Sequence, residues 1–219
     1  AVGSKYILID IPFGRGAKVD KKKALNLKKK FEYLGKYFKV KLKCVLTDGS
    51  QPIGNGVGPM LEIKDVIAVL DPKKQGPKDL KEKSLLLSAQ LLEMTGKARK
   101  NQGYAMAKNA LESGKAFEKF KEIIKAQKGD LGKIKDAKFK HLIVAKKSGK
   151  IKEISNKKIS SLARIAGCPL DKSCGLCLHV IKNEKVKKRR GLITLYSNSK
   201  SRLNEAIRYF NEEEPIKIV

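Results

Sequence analysis

The sequence predicts an α/β domain followed by a smaller α+β domain. A strand–helix–strand unit opens the chain. A block of helix-forming segments follows. From about residue 141 short strand-like runs alternate with amphipathic helices. Strands separated by a helix argue for α/β packing, and the later change of pattern argues for a second unit.

Residues 4–11 form a short apolar, β-rich run ended by Pro12 and Gly14, which predicts a buried strand. Asp20 then caps a helix whose apolar face is Leu27, Phe31, Leu34 and Phe38. Residues 39–47, "KVKLKCVLT", alternate Lys with Val, Leu and Cys, as in a strand with one wet face. After a glycine-rich stretch, Pro59 suits the first position of a helix over Met60–Leu70. "DPKKQGP" breaks that helix, and Pro77 opens a leucine-rich one through Met94. Further helices are expected near 101–112 and 115–127. The later strands are "HLIVAK", "GKIKEI", "GLCLHVI" and "GLITLYS". The helices among them carry Ile159, Leu162, Ala163 and Ala166, and Leu203, Ala206, Ile207 and Phe210. The boundary falls near residue 142, giving domains 1–142 and 143–219.

Composition bounds the function. The chain has 219 residues and is 41% hydrophobic, enough for a packed core. No window reaches the ~18 uninterrupted apolar residues of a membrane span, and no signal peptide is visible. A soluble, cytoplasmic protein is expected. Fifty Lys+Arg against 22 Asp+Glu give a net charge of +28, which suggests a nucleic-acid binder. Against that, the lysines spread from Lys5 to Lys217, there is no Trp, and most Phe and Tyr fall at periodic core positions. The balance is against nucleic acid.

Two loops could carry chemistry. "DIPFGRGAK" runs from a strand through Gly14, Gly16, Ala17 and Lys18 into a helix. Its glycines admit a ligand to the backbone, and its helix and lysine favour an anion. The plain alternative is a tight strand-to-helix turn. Asp48–Gly58, with Gly54, Gly56 and Gly58, suits a hinge or a carbonyl cradle for a ligand or cation, or simply a long crossover turn. Glu62 lies just inside the next helix, where the dipole favours a carboxylate. Cys168, Cys174, Cys177 and His179 have zinc-like residue types. However, "GLCLHV" alternates like a strand, with Cys177 and His179 on one face and Leu176, Leu178 and Val180 on the other. No metal site is expected.

Three motifs, "YILIDIPFGRGAKV", "LTDGSQPIGNGVGPMLE" and "SGKAFEKFKEIIKAQKGD", resemble the thymidine/pyrimidine nucleoside phosphorylase family in the same order. The tail, "GKIKEISNKKISSLARIAG" through "GLCLHV" and "GLITLYS", is similar to that family's C-terminal domain. The resemblance is closest to the archaeal AMP phosphorylase branch. Where thymidine enzymes continue glycine-alanine-phenylalanine, this chain has Ala17-Lys18.

The resemblance implies a mixed-sheet phosphorylase α/β domain and a small α+β domain with a barrel-like sheet. It implies cleavage of AMP, or of a thymidine-like nucleoside, by inorganic phosphate. It assigns Gly14, Gly16, Ala17 and Lys18 to substrate binding, and Gly54, Gly56, Gly58 and Glu62 to a hinge or monovalent-cation region. It places the catalytic and base-binding groups ahead of residue 1, so the 219-residue chain alone should be inactive. No cofactor is expected beyond phosphate as co-substrate, and the whole enzyme is expected to be a homo-oligomer. A basic nucleic-acid-binding protein is the alternative of another class.

Overall fold

The computed structural model describes residues 3–219. The first strand, β1 (Tyr6–Phe13), leads through α1 (Lys21–Tyr37) to β2 (Lys41–Asp48). β1 and β2 pair in parallel, from Tyr6 opposite Lys41 to Phe13 opposite Asp48. Parallel neighbours need a crossover, and α1 supplies it. Asp20 caps α1 as expected, accepting from the Lys23 N–H at 2.8 Å. Ile11, Ala24 and Cys44 form the buried centre of the unit, with Leu27 and Phe31 packed against it.

Two details of this unit differ from expectation. The strand continues through Pro12, where the sequence suggests a stop. Among the described residues β1 has a partner on one side only, and an edge tolerates proline. The α1 stripe also ends early, because Leu34 and Phe38 are exposed. Phe38 lies past the last helical residue, so the helical spacing that assigns it to the core no longer applies.

The chain then forms β3 (Gly56–Val57), α2 (Pro59–Leu70), α3 (Lys78–Met94), α4 (Gly103–Glu112) and α5 (Lys115–Ala126). Pro59 occupies the first turn of α2, where its missing N–H costs nothing. α3 packs against β1 and β2, and Leu85, Ala107 and Leu111 form a small core among the helices.

The last third contains β4 (Phe139–Val144), β5 (Gly149–Ile154), α6 (Asn156–Ala166), β6 (Gly175–Leu178), β7 (Lys185–Val186), β8 (Gly191–Ser197), α7 (Lys200–Glu213) and β9 (Ile216–Ile218). Its strands form two sheets, ordered β3-β6-β8-β4 and β7-β5-β9, with antiparallel pairs. The largest core of the molecule lies here, built on Ile151, Ile154, Ile159, Leu162, Leu176, Ile193 and Leu195. A barrel-like sheet is not what forms. Both sheets are open, and among the described residues neither closes on itself. Several strands are only two to four residues long, too short for the staggered, continuous ladder a barrel requires.

The expected boundary at residue 142 falls inside β4. β3, from the middle of the glycine-rich loop, joins the C-terminal sheet by pairing with β6. Among the described residues no helix is long and apolar enough to cross a membrane.

Candidate functional site

The carboxyl ends of parallel strands open into a crevice where α/β sheets commonly bind ligands. At the end of β1 the chain turns through Gly14 and Gly16, both in the left-handed region (φ +140° and +85°). The turn closes on itself. Gly14 N–H donates to the Val19 carbonyl at 3.2 Å, and Ala17 N–H to the Gly14 carbonyl at 3.1 Å. At the end of β2, Gly49 N–H donates to the Phe13 carbonyl at 2.8 Å. A side chain on Gly14 would press on Ser50, and one on Gly49 would press on Pro12 and Ala17. The two loops therefore form one packed ridge, brought together by the parallel register.

Asn156, the first residue of α6, clamps this ridge from the C-terminal module. Its amide Nδ2 donates to the Gly49 carbonyl at 2.8 Å and more weakly to the Gly16 carbonyl at 3.4 Å. Arg15 lies 3.7 Å from Glu153 on the same side. Lys18 is exposed, and among the described residues no carboxylate lies within ion-pair distance of it. Gly14, Gly16, Ala17 and Lys18 thus lie together on a braced loop with one available ammonium group.

Gly54, Gly56, Gly58 and Glu62 lie farther along the second loop, and acidic side chains bind their amides. Asp65 Oδ2 accepts from Asn55 and Gly56 at 2.7 Å each, and Asp79 accepts from Gly54 at 3.1 Å. Glu62 reaches back to the Gly58 N–H at 3.1 Å and caps its own helix. Gly58 has φ +132°, and a Cβ there would stand 2.5 Å from the Cys174 carbonyl oxygen. The stretch is tied to the C-terminal module by β3, by Leu178 N–H donating to Asn55 O, and by Lys182 N–H donating to Gln51 Oε1.

Sequence reasoning missed a polar cluster under the ridge. Asp10, Thr47 and Lys83 meet there, with Thr47 Oγ1 donating to Asp10 at 2.6 Å and Lys83 Nζ 2.5 Å from Asp10's other oxygen. Thr47 and Lys83 border a cavity of about 500 Å³ that is also lined by Asp48, Asp79, Glu82 and Tyr104. Its free charges are acidic, since Lys83 already faces Asp10. The exposed cations of the first loop are Lys18 and Arg15, the latter 3.7 Å from Glu153. A second cavity of about 470 Å³, bounded by α2, α3, α4 and α5, is apolar and has no charged group to orient a nucleotide. Asn156 and Lys83 carry no sequence signal for their roles, because each meets its partner only through the tertiary fold.

The cysteines do not converge. Leu176, Leu178 and Val180 are buried while Cys177 and His179 are half-buried on the other face, where His179 Nε2 meets Thr194 Oγ1 at 2.7 Å. Burial, and then the charge of Asp65, push the Cys177 thiol up to about 11. Burial and neighbouring Arg190 lower the His179 pKa, favouring the neutral ring. Cys174 packs instead beside Gly167. Among the described residues no three His, Cys, Asp or Glu side chains are placed to share a metal ion.

Comparison with known proteins gives the site a context. Residues 150–217 match the pyrimidine nucleoside phosphorylase C-terminal domain. Over its full length the chain is 43% identical to AMP phosphorylase of Methanococcus aeolicus, covering 44% of that protein. It is 47% identical to AMP phosphorylase of Pyrococcus abyssi, again covering all of this chain and 44% of the relative. It is 40% identical to a putative thymidine phosphorylase of Legionella pneumophila strain Corby, covering 42% of it. The chain spans less than half the length of the curated relatives it matches. The domain match and the full-chain similarity agree: the chain is similar over its whole length to AMP phosphorylases and to a putative thymidine phosphorylase, and its residues 150–217 match the pyrimidine nucleoside phosphorylase C-terminal domain.

Proposed function

We propose that this chain supplies part of the substrate cleft of a phosphorylase acting on a nucleoside 5′-monophosphate, with AMP as the preferred substrate. Inorganic phosphate attacks the anomeric carbon, the bond to the base breaks, and ribose 1,5-bisphosphate and free base result. Lys18 carries this reading. It is an exposed ammonium group in no ion pair among the described residues, on a loop held by Asn156 and the Gly49 turn. An anionic 5′-phosphate needs such a cation, and a neutral 5′-hydroxyl does not. The chain's own role is positioning and charge stabilisation. The attacking phosphate and the base are held by groups outside these 219 residues.

A thymidine or pyrimidine nucleoside phosphorylase is the second reading, favoured by the Legionella relative. The two separate on the 5′ end of the substrate. Phosphate-dependent release of adenine from AMP, followed by chromatography, tests the proposal on the protein as its gene encodes it. Turnover of thymidine but not AMP would favour the second reading. Robust turnover by the 219-residue chain alone would mean that the site is wrongly divided.

A further inference from the structure

A second surface lies at the other end of the β1–β2 pair, roughly 25 Å from Lys18 for a strand of this length. Tyr33, Tyr37 and Phe38 are 68%, 69% and 66% exposed at the end of α1. Tyr37 and Phe38 stand edge to face, with ring centroids 5.0 Å apart. Tyr6, at the start of β1 opposite Lys41, is also exposed, and the Lys41 ammonium lies 5.2 Å from its ring. Single exposed apolar residues are ordinary, but three large rings exposed within six positions are not.

The charge around the rings has one sign. Lys29, Lys30, Lys36, Lys39 and Lys43 are exposed, and none of them is in an ion pair among the described residues. The only acid between residues 28 and 43 is Glu32, which Lys28 faces at 3.8 Å. Rings that present a face or edge to solvent, set among unpaired lysines, suit a partner with flat stacking groups joined by phosphates. A protein partner would be expected to offer carboxylates and aliphatic groups, and a duplex would hide its base faces.

We propose that the end of α1 with the start of β1 is a platform for single-stranded nucleic acid, the rings stacking on bases and the lysines following the backbone. The lysines lack the planar fork that reads base edges, so binding is tolerant of sequence. The inference is independent of the phosphorylase reading. The platform is at the opposite end of the strands from Lys18, and either can fail alone.

The test uses fluorescence anisotropy of a labelled oligouridylate, over a range of salt concentrations, on the protein as its gene encodes it. The triple substitution Tyr33→Ala, Tyr37→Ala, Phe38→Ala should weaken binding at least about tenfold at every salt concentration, with the salt slope unchanged. These side chains are exposed, so the melting curve should change little. Lys36→Gln with Lys39→Gln should instead flatten the slope of log Kobs against log salt, by about 0.7 for each phosphate that is no longer neutralised. The equal charge change Lys125→Gln with Lys128→Gln should leave the slope nearly unaltered. Wild-type affinity in the ring variant, an equal effect from the control pair, or tighter binding of duplex than of single strand would overturn the proposal. So would loss of self-association in the ring variant by sedimentation, which would make the face an interface between copies.

Discussion

Asn156→Ala should loosen the ridge at the carboxyl ends of β1 and β2 without unfolding the protein. The side chain makes one good hydrogen bond, to Gly49 O at 2.8 Å, and one marginal bond, to Gly16 O at 3.4 Å. A hydrogen bond contributes about 0.5–1.5 kcal/mol net, and a weak one less. Both acceptors lie in partly or fully exposed turns, so water can replace the lost donor. The global cost should therefore be under about 0.5 kcal/mol. Helix α6 itself should survive, because Ser155 caps it and Asn156 is only its first residue. The local effect should be larger, since Asn156 ties the ridge to the C-terminal module. Amide hydrogen exchange measures this directly. Gly14, Ala17 and Gly49 should lose protection roughly fivefold or more, as for about 1 kcal/mol of local opening. Ile193 and Leu195 in the core, which report global unfolding, should lose protection by about twofold at most. Asn156→Asp should be worse, since it sets a carboxylate against two carbonyl oxygens. Unchanged exchange at Gly14 and Gly49 would refute the claim that Asn156 clamps the loops. Equal loss throughout the core would make it a general stability residue.

Further substitutions test the parts around the ridge. Gly58→Ala places a Cβ 2.5 Å from a backbone oxygen at φ +132°. It should cost about 3 kcal/mol or more, read as a melting temperature lowered by roughly 6–12 °C. Asp136 is shared by Lys140 of β4 and Lys64 of α2, which hold its carboxyl down to about 2 from 3.8. A depressed folded pKa stabilises above the unfolded value and is lost as pH falls toward 2. Asp136→Asn should thus cost less than about 1 kcal/mol at neutral pH, because the pair is well exposed. That difference should vanish in urea melts as pH drops from about 4 to 2. The Cys177 thiol, raised by burial, should resist iodoacetamide at mildly alkaline pH in the native state. The purified protein should also lack stoichiometric zinc. Stoichiometric zinc lost on Cys174→Ser would contradict the cysteine geometry.

What is legible in the sequence follows from which forces are local. The β1–α1–β2 unit, the proline start of α2 and the stripes of α6 and α7 depend on periodicity and caps that a short window contains. β3, β7 and β9 are two or three residues long and exist because a distant strand offers them partners. No window of sequence contains that pairing. Spacing alone assigns Phe38 to the core, yet the helix ends before it. Of the site, the turn through Gly14 and Gly16 can be read, because glycines between a strand and a capped helix mark a tight connection. Asn156, Asp10, Thr47 and Lys83 cannot, since they meet their partners across 37 or more positions.

The central claim is that Lys18 holds a 5′-phosphate. It is tested most directly by Lys18→Ala in the protein as its gene encodes it, with kcat/KM for AMP and adenosine measured side by side at fixed phosphate and salt. A charge-assisted hydrogen bond contributes about 1.5–3 kcal/mol, or roughly ten- to a hundredfold. The account predicts a loss of that size for AMP, little change for adenosine, and partial rescue by Lys18→Arg. An equal loss on both substrates, or no loss on either, would contradict it.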